Sequence, residues 1–169
     1  MGGGLFYHDV FSALLGARAR FVVVGGVAVN LQGVPRFTAD LDLAVALDGR
    51  SLAAAAGALT ALGLRARLTA TSEELRDDAV VRGWIAERNL QAITFVDPVQ
   101  PLREVDLVVT SPVPFEELER GADAMESGGA RILVASIDAL VRMKTGTGRA
   151  QDESDVDALR RVQELSRGT

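Results

Sequence analysis

Apolar positions along this chain fall into short dense runs and longer mixed stretches. The dense runs are rich in β-branched residues and predict buried strands over residues 21–24, 92–96 and 103–109. The mixed stretches predict helices over 5–17, with Leu5, Val10, Leu14 and Leu15 apolar, and over 51–62, 136–144 and 151–165. Residues 72–89 read as one helix or two. Shorter helices fit 27–31 and 114–120, and a short strand fits 64–70. A hairpin over 122–134 turns at Ser127-Gly128-Gly129, with 132–134 as its second strand. Asp48 or Ser51 caps the helix at 51, Gly63 stops it, Ser72 opens the next, and Ser136 caps the helix at 136. Glu153 and Asp155 read as acids suited to a helix N-terminus. Together these elements predict an α+β fold. Its mixed, twisted sheet has about four to six strands, with helices against it and a C-terminal helical pair closing a cleft.

The stretch 21–46 organises the rest. A strand runs into Gly25-Gly26, a short helix follows to Gly33 and Pro35, and a second strand opens at Thr38 and runs to Val45. Strand side chains alternate between faces, so Asp40 and Asp42 point one way and Leu41 and Leu43 the other. Two adjacent carboxylates repel, and the usual compensation is a hard cation such as Mg²⁺. Gly25 and Gly26 lack Cβ atoms, so their N–H groups can approach a ligand closely. A helix starting there adds a positive dipole end that suits phosphate. A phosphate seat beside a metal seat describes a nucleoside triphosphate site. Asp106 is a further carboxylate inside an apolar strand. It is either a strand-end residue in water or part of a site, because an isolated buried Asp is costly. Glu104 is its same-face neighbour.

Charge and composition change the picture in three places. The net charge of −5 excludes gripping nucleic acid through the overall field, leaving room for a local basic patch. The chain has no cysteine, so disulfides and thiolate metal sites do not arise and a cytoplasmic setting is expected. No apolar run reaches transmembrane length, and Met1-Gly2-Gly3-Gly4 lacks the basic and apolar regions of a signal peptide. Of the 18 basic residues only Lys144 is a lysine. It marks either chance or a place needing a compact ammonium rather than a planar fork. The lone His8 has no Ser or Cys placed for a triad and reads as a surface or packing residue. Trp84 reads as core, with base stacking as the alternative.

Gly25-Gly26, the short helix and Arg36-x-Thr38-x-Asp40-Leu41-Asp42-Leu43 together resemble the nucleotidyltransferase superfamily, whose fold is DNA polymerase β-like. They are most similar to its small bacterial branch, the toxin-type enzymes of the AbiEii kind. The run Ser136 to Lys144, followed by Gly148-Arg149-x-x-Asp152-x-x-Asp155, resembles the C-terminal part of that branch. The likeness spans about residues 20–160. It implies a single domain over 1–169, with a catalytic core at about 5–112 and a C-terminal hairpin and helices at about 113–169. A dedicated acceptor-binding domain is not expected.

The resemblance also implies a reaction. A nucleoside monophosphate passes from a nucleoside triphosphate to an acceptor hydroxyl, helped by two Mg²⁺ (or Mn²⁺) ions. Asp40, Asp42 and Asp106 would be the catalytic and metal-binding carboxylates, with Asp106 also the general base. Gly25, Gly26 and Lys144 would hold the triphosphate. Arg149 and Asp152 would be secondary site residues. Arg36 would contact phosphate, pair with a site Asp, or serve as a loop residue. Thr38 would begin the strand and hydrogen-bond within the site. The acceptor is left open between a tRNA end, a Tyr or Ser of a partner protein, and a small molecule such as an aminoglycoside. An antitoxin partner would accompany the toxin role. The rivals are a non-catalytic nucleotide-binding module of the same fold, a Rossmann unit and a P-loop enzyme. The last two fail for lack of Gly-x-Gly-x-x-Gly and Gly-x-x-x-x-Gly-Lys-Ser/Thr.

Overall fold

A computed structural model describes residues 7–168, so the expected helical start at Leu5 and the Met1–Gly4 segment lie outside the described residues. The elements in chain order are α1 (His8–Gly16), β1 (Phe21–Val24), α2 (Gly25–Leu31), β2 (Asp40–Val45), α3 (Ser51–Ala61), β3 (Arg65–Ala66), α4 (Ser72–Arg76) and α5 (Asp78–Arg88). They continue with β4 (Ala92–Val96), β5 (Glu104–Val108), α6 (Phe115–Gly121), β6 (Asp123–Ser127), β7 (Ala130–Val134), α7 (Ile137–Lys144) and α8 (Ala150–Arg167). The α+β expectation holds. One mixed sheet of seven strands runs in the order β3-β4-β5-β2-β1-β7-β6. That exceeds the predicted strand count, because the hairpin β6–β7 and the two-residue β3 join the same sheet.

The apolar run of β1 is buried on both faces, as its continuous pattern predicts. It pairs antiparallel with β2 and parallel with β7, while β2 pairs parallel with β5. Leu41, Leu43, Val105 and Leu107 fill the core, and the alternate positions of β2 and β5 face the other way. Helix α2 packs on β1 and β2, α7 packs on α2, and α8 pairs with α7. The C-terminal pair therefore lies against α2, with Val162 of α8 beside Gly33.

Several local expectations are corrected. Thr38 lies in the loop before β2, which begins at Asp40, so it does not open the strand. Gly25 and Gly26 form the first turn of α2 rather than a turn ahead of it. The helical region after residue 70 splits in two. Thr71 caps α4 in a reciprocal capping box with Glu74, displacing Ser72 from that role. Asp77 caps α5 by accepting from Ala79 and Val80. Asp48 caps α3, its Oδ1 accepting from the Ser51 N–H at 2.7 Å. Ser136 caps α7, accepting from the Ala139 N–H at 3.2 Å.

Candidate active site

Strand register brings the predicted carboxylates together. In the parallel β2–β5 pair Asp42 stands opposite Asp106, and Asp40 stands opposite Glu104. The two carboxylates of Asp42 and Asp106 therefore act on each other across the strand pair. Burial pushes the Asp42 carboxyl up to about 7, and the negative charges of Asp106 and Asp40 add to that, with Lys144 pulling it back. On the far side of β5, Thr94 of β4 donates its hydroxyl to Asp106 Oδ1 at 2.5 Å. Asp106 is thus half-buried and faces a second carboxylate. Glu104 is engaged elsewhere, in an ion pair with Arg67 at 3.1 Å. Its pKa is raised by burial and by Asp106, with Arg67 opposing.

The glycines are required by close approach. In the antiparallel β1–β2 pair Val24 faces Asp42, so the next residue, Gly25, meets that carboxylate. A Cβ on Gly25 would lie 2.1 Å from Asp42 Oδ2, and its φ of +65° is one that side chains disfavour. A Cβ on Gly26 would lie 2.4 Å from the Arg36 guanidinium and 2.6 Å from the Thr38 hydroxyl. Arg36, Thr38 and Asp42 therefore converge on the two glycines. Thr38 Oγ1 also reaches the Asp40 carbonyl at 3.4 Å. Helix α2 is only seven residues long, so its backbone N–H groups and the nearby cations matter more here than a long-helix dipole.

The C-terminal residues complete the cluster. Lys144 Nζ lies 3.0 Å from Asp152 Oδ1 and 2.9 Å from Asp155 Oδ2. Arg36 NH1 lies 3.4 Å from Asp155 Oδ2. Asp152 also accepts from the Thr147 hydroxyl at 2.6 Å and pairs with Arg149 Nε at 2.8 Å. Burial would raise its pKa, but the Thr147, Lys144 and Arg149 partners outweigh that and hold it below the ordinary value. The Arg149 side chain is 76% exposed, at the rim. Asp155 is not a solvated helix-start acid: it is 2% exposed and sits between two cations. The signal that finds it is its spacing of three from Asp152, which places both acids on one face of α8.

Tyr7 has no signal in the sequence. Its buried hydroxyl hydrogen-bonds to the Ala39 carbonyl and lies 3.3 Å from the Glu104 carbonyl, tying together the starts of β2 and β5. Burial, and then Asp40, push the phenol up to about 12. The remaining predicted candidates lie apart from this chemistry. His8 is exposed on α1, and Trp84 is half-buried against the core with the Arg88 guanidinium 5.9 Å from its ring centre.

Among the described residues no group of three or more His, Cys, Asp or Glu is placed so that it could hold a metal ion. The Asp42–Asp106 pair nonetheless suits a hard divalent cation in donor type, since a cation would relieve the repulsion that raises the Asp42 carboxyl. Mg²⁺ is commonly held by one or two carboxylates plus substrate phosphates rather than by an all-protein cage.

Searches against protein-family models and against curated proteins found no match. Solved structures do match. The lincosamide antibiotic adenylyltransferase LnuA, solved with lincomycin, superposes with a TM-score of 0.63 at 13% identity, covering 96% of this chain and 98% of that one. The fold is that of the nucleotidyltransferases. ANT(2″)-Ia, solved with adenylyl-2″-tobramycin, superposes with a TM-score of 0.59 at 14% identity, covering 96% and 93%. An antigenic nucleotidyltransferase-like protein from Paracoccidioides brasiliensis gives 0.52 at 16% identity, covering 94% and 77%. Similarity this distant speaks for the fold alone.

Proposed function

We propose that this protein is a metal-dependent nucleotidyltransferase, moving a nucleoside monophosphate from a nucleoside triphosphate to an acceptor hydroxyl. The observation that carries the reading is the register that sets Asp42 beside Asp106 while pressing Gly25 against the same carboxylate. Side-chain-free backbone at Gly25 and a carboxylate pair thus share one place. Gly25 and Gly26 admit the triphosphate to the backbone, and Lys144 and Arg36 supply positive charge beside it. Asp42 and Asp106 would hold Mg²⁺ or Mn²⁺ together with substrate phosphate, and Asp40 would add negative charge beside them. When bound, the metal stabilises the charge developing on the attacking and leaving oxygens. Asp106 takes the proton of the acceptor hydroxyl, and Thr94 orients it by hydrogen-bonding to one of its oxygens. Arg149, exposed at the rim, and Asp152, behind Lys144, complete the seat.

Two acceptor classes divide the reading. The Arg36-x-Thr38-x-Asp40-x-Asp42 pattern favours the toxin-type branch, with a macromolecular acceptor such as tRNA or a partner protein and an antitoxin to restrain it. The end-to-end correspondence with LnuA, over 98% of that chain, favours a small hydroxylated acceptor. The test is transfer of α-labelled ATP, GTP, CTP or UTP in Mg²⁺ or in chelator. Acceptors are total tRNA, the protein itself, lincomycin and tobramycin. Labelled product with one acceptor in Mg²⁺ and none in chelator is expected. Neither transfer nor nucleotide binding in Mg²⁺ would overturn the reading.

A further inference from the structure

The carboxylates described above account for the metal and the acceptor, but not for a buried acid on α8. Asp155 Oδ2 lies 2.9 Å from Lys144 Nζ and 3.4 Å from Arg36 NH1, so one oxygen faces two cations. The contact is ionic rather than directional, because that oxygen has no geometrically sound hydrogen bond. Its sister oxygen Oδ1 accepts from Gln151 Nε2 at 3.0 Å, which fixes the carboxylate plane. The two cations come from different elements. Arg36 belongs to the loop after α2 and lies against Gly26, where a Cβ would sit 2.4 Å from its guanidinium. Lys144 ends α7, and its charge is felt at Asp42. Without an anion between them, two close cations in so dry a place would repel and separate.

We propose that Asp155 is a positioning residue that sets Lys144 and Arg36 side by side against the Gly25–Gly26 turn, as a two-cation seat for the triphosphate. The inference rests on the nucleotide reading above and adds a role for a residue that touches neither the metal nor the acceptor. Asp152 does not duplicate it. It contacts Lys144, Thr147 and Arg149 but not Arg36, so it can steady only one of the two cations.

The test measures MgATP binding by calorimetry in the whole chain, with Mn²⁺ binding in the absence of nucleotide as the second probe. Asp155→Asn keeps the shape and removes the charge. It is expected to weaken MgATP at least tenfold while leaving Mn²⁺ affinity within twofold. In a Lys144→Ala background the same substitution should cost much less, because residues acting through one another are not additive. Asp155→Glu keeps the charge and displaces it, and should give an intermediate loss with near-native melting. It also decides the case if the Asn variant fails to fold. The proposal would be overturned by folded Asp155 variants with native MgATP affinity, by full additivity with Lys144→Ala, or by tighter MgATP binding in Asp155→Asn. The last would make Asp155 a competitor of phosphate. Equal loss of Mn²⁺ and MgATP affinity would mark a general structural role and also overturn it. Native protein that binds Mn²⁺ but no MgATP would instead sink the nucleotide reading, and this inference with it.

Discussion

Gly25 carries two constraints at one atom, a φ of +65° and a carboxylate oxygen where its Cβ would stand. Gly25→Ala should therefore do more than strain the backbone, which by itself costs about 1–2 kcal/mol. It should push Asp42 away from Asp106. We expect a lower melting temperature together with loss of Mg²⁺-dependent nucleotide binding, seen by thermal melting and calorimetry. Native binding in the variant would detach the glycine from the site. Asp106→Asn separates two roles. The amide keeps the size of the carboxylate but cannot take a proton and is a poor metal ligand. Transfer should fall by about a hundredfold to ten-thousandfold from the lost general base alone, while nucleotide affinity changes little. A folded variant with near-native transfer would move the role elsewhere. At this scale the residue types were readable because carboxylates and glycines inside apolar runs are conspicuous. Asp155 closes the C-terminal motif but reads there as a helix-start acid, since an acid in the first turns of a helix has a ready electrostatic explanation in water.

The strands that carry the site were legible as elements, because apolar runs and period-two alternation do not depend on partners. Their order was not. Asp42 meets Asp106 only because β5, distant in sequence, inserts beside β2 in parallel register, and nothing local to either strand sets that. Tyr7 acts at the same scale. Its hydroxyl ties the backbone just before β2 to the first residue of β5. Tyr7→Phe removes that tie and leaves two partly buried carbonyls with a partner fewer. The expected cost is about 1 kcal/mol, which lowers melting by about 2–4 °C in a chain of this size. Transfer should fall with it, because the starts of β2 and β5 place Asp40 and Asp106. Unchanged melting would show the hydroxyl to be dispensable.

For the whole molecule the carboxylate pair makes stability depend on pH in a defined direction. Asp42 is raised from 3.8 to about 7, so the folded state favours its protonated form. The stability linked to it is fully present below about pH 4, is lost as pH rises, and is gone above about pH 7. Melting in chelator should therefore fall between pH 5 and pH 8, and Mg²⁺ or Mn²⁺ should restore it at the upper end. A flat or rising profile over that window would contradict the electrostatics of the pair. The net charge of −5 makes broad attraction of a polyanion unfavourable, so a nucleic-acid acceptor should show a shallow salt dependence. By itself the sequence determined which segments are strands and helices and the α+β class, and it offered Gly25, Gly26, Asp40, Asp42, Asp106 and Lys144 as candidates for chemistry. Those follow from short-range rules of periodicity, capping and donor type. Only the tertiary structure decided that β6, β7 and β3 extend the sheet, that Thr38 lies before the strand, that Tyr7 braces β2 against β5, and that Asp155 is buried between Lys144 and Arg36. Each depends on contacts between segments far apart in the chain, and no local pattern records which distant partner a side chain will meet.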